Sequence, residues 1–146
     1  MNTALRILAN RDHSKYELKQ KLQQRGFGNK VINTVIVECE RFNYINDIRT
    51  ADIYISQLKR KCFGKRYIRM ALRKKRLGGT AIENILQENY SEDDELENAG
   101  KLLGKKKEAF EREADQKKRR EKMYRFLYSR GFSPAVISDL VRNEVN

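Results

Sequence analysis

The chain repeats itself. Moved by 50 positions, Ser14–Ile36 falls on Gly64–Leu86 without a gap; moved by 105, it falls on the C-terminal part of the chain. The first shift sets Leu18 on Ile68, Leu22 on Leu72, Phe27 on Leu77, Ile32 on Ile82, Val35 on Ile85 and Ile36 on Leu86. The second sets Leu18 on Met123, Leu22 on Leu127, Gly26-Phe27 on Gly131-Phe132, Val31-Ile32 on Val136-Ile137 and Val35-Ile36 on Leu140-Val141. Self-similarity at a fixed spacing marks an array of like units, each one supersecondary element.

The unit is helical. Leu18 and Leu22 stand at i and i+4, on one helix face. Gly26 then supplies the left-handed residue that closes a helix, and Phe27 packs back as the chain turns. Val31, Ile32, Val35 and Ile36 form the apolar face of the next helix. The same helix–turn–helix is expected over 65–88 and 117–142. In the middle copy Arg76 stands at the turn glycine and Gly78-Gly79 follow, which allows a different turn there. Ser14-Lys15-Tyr16-Glu17 and Thr80-Ala81-Ile82-Glu83 read as capping boxes. Ser133 reads as a cap before Pro134 at the first helical position, and Asn46 or Asp47 as a cap for a helix from Ile48. Each unit also has a leading helix: Thr3–Asn10 with Leu5, Leu8 and Ala9 on one face; Ile48–Lys61 with Ala51, Ile55 and Leu58 inward; and one from about Asp93 with Leu96, Ala99, Leu102 and Leu103. The expected fold is all-α, three tandem three-helix repeats in an elongated, curved arrangement, with boundaries at 2–46, 47–92 and 93–146 and nine helices. The single proline among 146 residues and the wealth of Lys, Arg, Glu, Gln and Leu agree with it.

Charge is uneven along this array. The net charge is +12, and Lys59–Arg76 alone holds ten basic residues and no acid. Turned at 100° per residue, Lys65, Arg66, Arg69, Arg73 and Arg76 share an arc of roughly 100°, with Ile68, Ala71 and Leu72 on the opposing side. Lys75 falls in the apolar sector near the helix end, where its stem can snorkel. A one-signed stripe of this density suits a row of phosphates or an acidic protein surface. Tyr54, Phe63 and Tyr67 flank it; they could stack bases, though Tyr54 and Phe63 read better as packing residues. Glu88–Glu97 holds six acids and no base, and Lys101–Lys122 mixes ten basic residues with five acids, as a salt-bridged exposed helix does.

Little points to catalysis. His13, the one histidine, stands just before the Ser14 cap and reads as a turn residue. Gly100-Lys101-Leu102-Leu103-Gly104-Lys105 has one residue too few between its glycines for a phosphate loop and no Ser or Thr after the lysine. Cys39 and Cys62 form no zinc or disulfide framework and suit a reducing compartment. The first residues lack the apolar run of a signal peptide, and no stretch reaches the length of a membrane span.

Linked motifs along nearly the whole chain resemble one family. Ala4-Leu5-Arg6-Ile7-Leu8-Ala9-Asn10-Arg11-Asp12-His13-Ser14, followed by Glu17-Leu18 and Lys21-Leu22, resembles the opening of RecX regulatory proteins. Tyr44-Ile45-Asn46-Asp47 with Ala51 resembles the start of their second unit. Phe63-Gly64-Lys65-Arg66-Tyr67-Ile68-Arg69 resembles their basic segment, and Arg125–Ser133 their third unit. The sequence departs from the family at Cys62 and Arg76, where glycine is usual, and at Arg49-Thr50, where an aromatic is frequent.

The resemblance implies a cytoplasmic protein, not an enzyme and without cofactor. It implies a partner, the RecA filament on single-stranded DNA, bound in its groove so that growth, ATPase, strand exchange and coprotease activity fall. The alternative is a helical DNA-binding protein that acts without RecA. No membrane contact is expected, and a monomer is. The candidate contact residues are Arg60, Lys61, Lys65, Arg66, Arg69, Arg73, Lys74 and Arg76, with Lys65, Arg66, Arg69 and Arg73 carrying much of the contact.

Overall fold

The computed structural model describes residues 1–145, with side chains through Asn143. Asn146, the last residue of the expected third repeat, lies outside them. Ten helices and no strand occur among the described residues: α1 (Asn2–Asn10), α2 (Lys15–Gln24), α3 (Asn29–Arg41), α4 (Asp47–Arg60), α5 (Lys65–Lys74), α6 (Thr80–Asn89), α7 (Glu92–Lys105), α8 (Lys107–Glu111), α9 (Gln116–Ser129) and α10 (Pro134–Val145). The sequence pattern did not disclose α8. It is five residues long and buries no side chain, so it leaves no apolar periodicity to read.

Start signals act as the residue types demand. Ser14 Oγ accepts the Glu17 N–H while the Glu17 carboxylate accepts the Ser14 N–H, a reciprocal capping box. Asn46 caps α4 by accepting the Arg49 N–H, and Ser133 caps α10 by accepting the Val136 N–H. α6 already includes Thr80, one residue earlier than a Thr80 cap requires. Ser91 with Asp94, and Asp115, provide two further caps.

The turns are more uniform than the sequence suggested. Gly26 N–H donates to Gln23 O and Phe27 N–H to Leu22 O, the paired closure that needs a left-handed residue. Gly131-Phe132 repeats it on Tyr128 and Leu127, and Arg76-Leu77 on Arg73 and Leu72. The middle turn is therefore the same turn. Arg76 takes the left-handed conformation itself, at φ 55°, against 89° at Gly26 and 95° at Gly131. Asn43 and Cys62 are left-handed too and close α3 and α4 in the same way.

The chain forms two compact units: Met1–Tyr54 with Leu72–Glu83, and Ile55–Ala71 with Asn84–Asn146. In the first, α1 packs on α2 and α2 on α3 around Ala4, Ile7, Leu18, Leu22, Ile32, Cys39 and Ile45. The buried face of α1 is thus Ala4 and Ile7 with half-buried Leu8; Leu5 and Ala9 are exposed. Phe27 and Val31 are also exposed, at 40% and 52%, whereas their counterparts Leu77, Phe132 and Val136 are buried. In the second unit α10 packs on α9 and α7, enclosing Ala99, Leu102, Leu103, Met123, Leu127, Phe132, Val136, Ile137 and Val141.

Candidate functional site

Most of the basic residues singled out in the sequence sit on or beside α5. The amides at its start are held by the turn after α9 and by Glu95 of α7. Gly64 N–H donates to Arg130 O at 2.9 Å and Arg66 N–H to Gly131 O at 3.0 Å, while Lys65 N–H donates to Glu95 at 3.3 Å. So close an approach requires glycine on both sides. A Cβ on Gly64 would stand 2.4 Å from the Gly131 carbonyl, and one on Gly131 2.4 Å from Tyr67 Cβ.

This docking rotates α5 relative to its cationic arc. Met70 of this helix is 58% exposed. Met70 lies roughly 90° round from the middle of the arc, so the arc leans towards the buried side. Lys65, Arg66 and Arg69 are consequently only half-exposed, whereas Arg60, Lys61, Arg73, Lys74 and Arg76 are exposed. Arg60 and Lys61 belong to the second unit, Arg73, Lys74 and Arg76 to the first.

Two of the half-buried cations, Lys65 and Arg66, have partners within the second unit. Lys65 Nζ reaches Gln87 at 3.0 Å and the Glu95 carboxylate at 3.9 Å. Arg66 donates to Phe132 O at 3.0 Å and lies over the Tyr128 ring at 3.9 Å. Together with Arg69, Glu92, Glu95, Ser133 and Val136 they line an open cleft of about 290 Å³. Burial pushes the Glu95 carboxyl above its usual range, although the Lys65 amide and the Lys65 and Arg69 charges oppose this. Opposite charges at partly dry positions order the start of α5 more than they add net affinity for a ligand.

In the first unit Lys75 does not merely snorkel. Its ammonium meets Glu17 at 2.9 Å and lies 4.7 Å from the Tyr54 ring centre, and Arg76 lies over Tyr16 at 5.1 Å. Burial would raise the Glu17 carboxyl, but hydrogen bonds from Lys75, the Ser14 amide and Arg11 outweigh it and hold the group at about 2. Glu17 is therefore both the second half of a capping box and an ion-pair acceptor. Sequence separation concealed the second role.

Other charged segments behave as plain surface. Lys101–Glu97 and Lys107–Glu111 pair along exposed helix faces, and Lys122 of α9 pairs with Glu113 in the loop before it. The stretch Gly100–Lys105 is helical, inside α7, and cannot cradle a phosphate as a loop would. Among the described residues no group of His, Cys, Asp and Glu is placed to hold a metal, and no helix is long and apolar enough to cross a membrane. His13 is buried beside Thr50, whose hydroxyl donates to His13 O at 3.4 Å.

Comparison with known proteins gives this arrangement its context. The RecX first three-helix domain matches residues 1–39, and the RecX third three-helix domain matches residues 92–141. The regulatory protein RecX of Vibrio parahaemolyticus is 37% identical over 130 residues, spanning 89% of this chain and 81% of that protein. The chain belongs to the RecX family. The RecX regulatory protein of Legionella pneumophila is 32% identical over 97% of the chain and 91% of its own length. The solved RecX structure from Lactobacillus salivarius shares the fold, with a TM-score of 0.86 at 22% identity over 99% of this chain and 92% of that one. Cys62 and Arg76, where the resemblance led to an expectation of glycine, are both left-handed, the conformation that glycine would adopt without strain.

Proposed function

We propose that this RecX-family chain is a negative regulator of RecA. It binds the groove of the RecA–single-stranded-DNA filament and inhibits filament growth, ATPase, strand exchange and coprotease activity. Family membership supports the RecA link. The observation that carries the surface assignment is the exposed cationic set Arg73, Lys74 and Arg76 in one unit and Arg60 and Lys61 in the other. Arg60, Lys61, Arg73 and Lys74 can meet DNA phosphates or acidic protein carboxylates from exposed positions, and Arg76 can do so by lifting from the Tyr16 ring. Lys65 and Arg66 have a double task, adding to the positive field while holding the start of α5, and Arg69 adds to the same field. The chain needs no cofactor for this role and acts by binding, from the cytoplasm, as a monomer.

The test is RecA's DNA-dependent ATP hydrolysis with the protein titrated far below the RecA concentration. Inhibition at that ratio is expected, since one molecule placed at a filament end or in its groove affects many subunits. Charge reversal of Arg73, Lys74 and Arg76 together should abolish it while the helical circular-dichroism signal persists. Full inhibition by that variant would move the contact elsewhere. Absence of inhibition by the wild type, with tight and steeply salt-dependent binding to naked DNA, would favour the alternative, a helical DNA-binding protein independent of RecA.

A further inference from the structure

The second unit contains a column of flat groups that ends in solvent. Phe63 and Tyr67 are stacked nearly parallel, ring centres 3.8 Å apart and planes 8° apart. The Arg130 guanidinium carbon lies 4.1 Å from the Phe63 centre. A ring has two faces, and Tyr67 fills one at contact distance, so Arg130 occupies the other. The order is Arg130, Phe63, Tyr67.

Each layer is fixed from behind. Arg130 donates to Lys61 O at 3.1 Å. The Phe63 carbonyl accepts the Tyr90 hydroxyl at 2.7 Å, and that hydroxyl also accepts from Asn98 at 3.0 Å. Tyr67 is braced at its Cβ by the backbone of Gly131. The inner layers are half-buried, but Tyr67 is 38% exposed, and Met70, one turn further along α5, is exposed beside it. Arg60 and Lys61 stand exposed on the segment leading into Phe63. Packing accounts for Arg130 and Phe63. It does not account for the tyrosine at the end of the column, which is 38% exposed.

We propose that the open face of Tyr67 takes an unpaired nucleobase as the fourth layer of this column, with Arg60 and Lys61 meeting the adjoining phosphates. Every base presents a flat face, so the site reads no sequence. Interior bases of a duplex are already stacked on both sides, so the site selects single strands. The assignment does not depend on RecA and is tested in its absence.

The probes are a labelled 15-nucleotide oligodeoxyadenylate and an abasic strand of equal length, which carries the same phosphates without bases. Wild-type protein should bind the oligodeoxyadenylate more tightly, by about five- to a hundredfold, the range of one base–aromatic stack. Tyr67→Ala should remove that difference and leave abasic binding unchanged, while Tyr67→Phe should keep it. The chain has no tryptophan, so tyrosine emission reports directly, and it should be quenched by the oligodeoxyadenylate and not by the abasic strand. Equal wild-type affinity for the two strands overturns the proposal, whether or not Tyr67→Ala folds. So does a folded Tyr67→Ala that keeps the full preference. The same Tyr67 dependence with an oligoriboadenylate would support stacking on the base itself, independent of the sugar. Failure of RecA inhibition alters none of these outcomes, so the two readings fall separately.

Discussion

Replacing Gly64 by alanine should destabilise the protein by about 2–4 kcal/mol, although the residue sits at a helix start where alanine is ordinarily harmless. The new Cβ would lie 2.4 Å from both the carbonyl carbon and oxygen of Gly131 and 2.5 Å from the Phe132 nitrogen. All three are backbone atoms, so no rotamer change relieves the clash. Restoring van der Waals contact requires the segments to part by about 1 Å, and overpacking of this kind costs roughly 1–3 kcal/mol. The separation also stretches the bonds from Gly64 N–H to Arg130 O and from Arg66 N–H to Gly131 O, now 2.9 and 3.0 Å. Each contributes about 1 kcal/mol, more where the amide stays dry. Against this, alanine loses less chain entropy on folding, which returns about 0.4–1 kcal/mol; Gly64 is not among the residues with positive φ. Urea unfolding followed by circular dichroism reads the outcome. With a slope of roughly 1.5–2 kcal/mol per molar, the midpoint should fall by about 1–3 M. Gly100→Ala serves as the control: its Cβ meets open space inside α7, and it should stabilise by up to about 1 kcal/mol. A Gly64→Ala midpoint within about 0.3 M of wild type would refute the close-approach argument.

Three further variants test strain and charge. Arg76→Gly should stabilise by about 0.5–1 kcal/mol in the same urea assay, because a non-glycine residue in the left-handed region costs about 1 kcal/mol or more and Arg76 is exposed; an unchanged or lower midpoint would count against it. The same variant should also inhibit RecA less well. Glu17, ordinarily near 4.5, is held at about 2 in the folded protein, so its stabilising effect is complete above 4.5 and disappears as pH falls through 2. Glu17→Gln should therefore remove roughly 2–3 kcal/mol at neutral pH and flatten the stability curve between those values; parallel curves for variant and wild type would exclude the Lys75–Glu17 pair as the cause. His13 is displaced in the same direction, below 6.5: burial disfavours its charged form, outweighing the hydrogen bond to Arg11 O. The unfolded chain then takes up the proton first, so stability declines as pH drops below 6.5. The advantage of wild type over His13→Gln should shrink between pH 7.5 and 5.5, and a constant difference would show that His13 does not titrate this way.

Periodicity and end signals made the helices legible. Leu18, Leu22, Ile32 and their equivalents at 68, 72 and 82 and at 123, 127 and 137 are buried, and Ser14, Asn46 and Ser133 cap as their types require. A pattern fixes which residues share a face; what covers the face is decided by residues far away in sequence. Phe27 matched Phe132 in the repeat yet is exposed. Leu5 looked inward on α1, but a turn of the helix brings Ala4 and Ile7 there instead. The cationic arc of α5 was visible, but its tilt is set by Gly64 against Gly131, 67 positions apart, and no local rule reports that contact. The same distance hides Lys75 from Glu17 and Arg66 from Phe132. Arg76 conceals its turn differently, because its residue type argues against the conformation that the surrounding hydrogen bonds impose.

The division into compact units bears on how this protein can be dissected genetically. The sequence repeats suggest cuts at 46 and 92, but neither unit is a continuous piece of chain. The first requires Leu72–Glu83 as well as Met1–Tyr54, and the second requires Ile55–Ala71 as well as Asn84 onward. The polypeptide passes from one to the other inside α4, inside α5 and inside α6. No single truncation yields one unit whole, and a fragment ending at residue 46 forfeits Lys75 and leaves Glu17 without its ammonium. Deletion series that lose activity would report a damaged fold before they reported a missing contact surface, so point substitutions on exposed side chains are the sound way to map this protein.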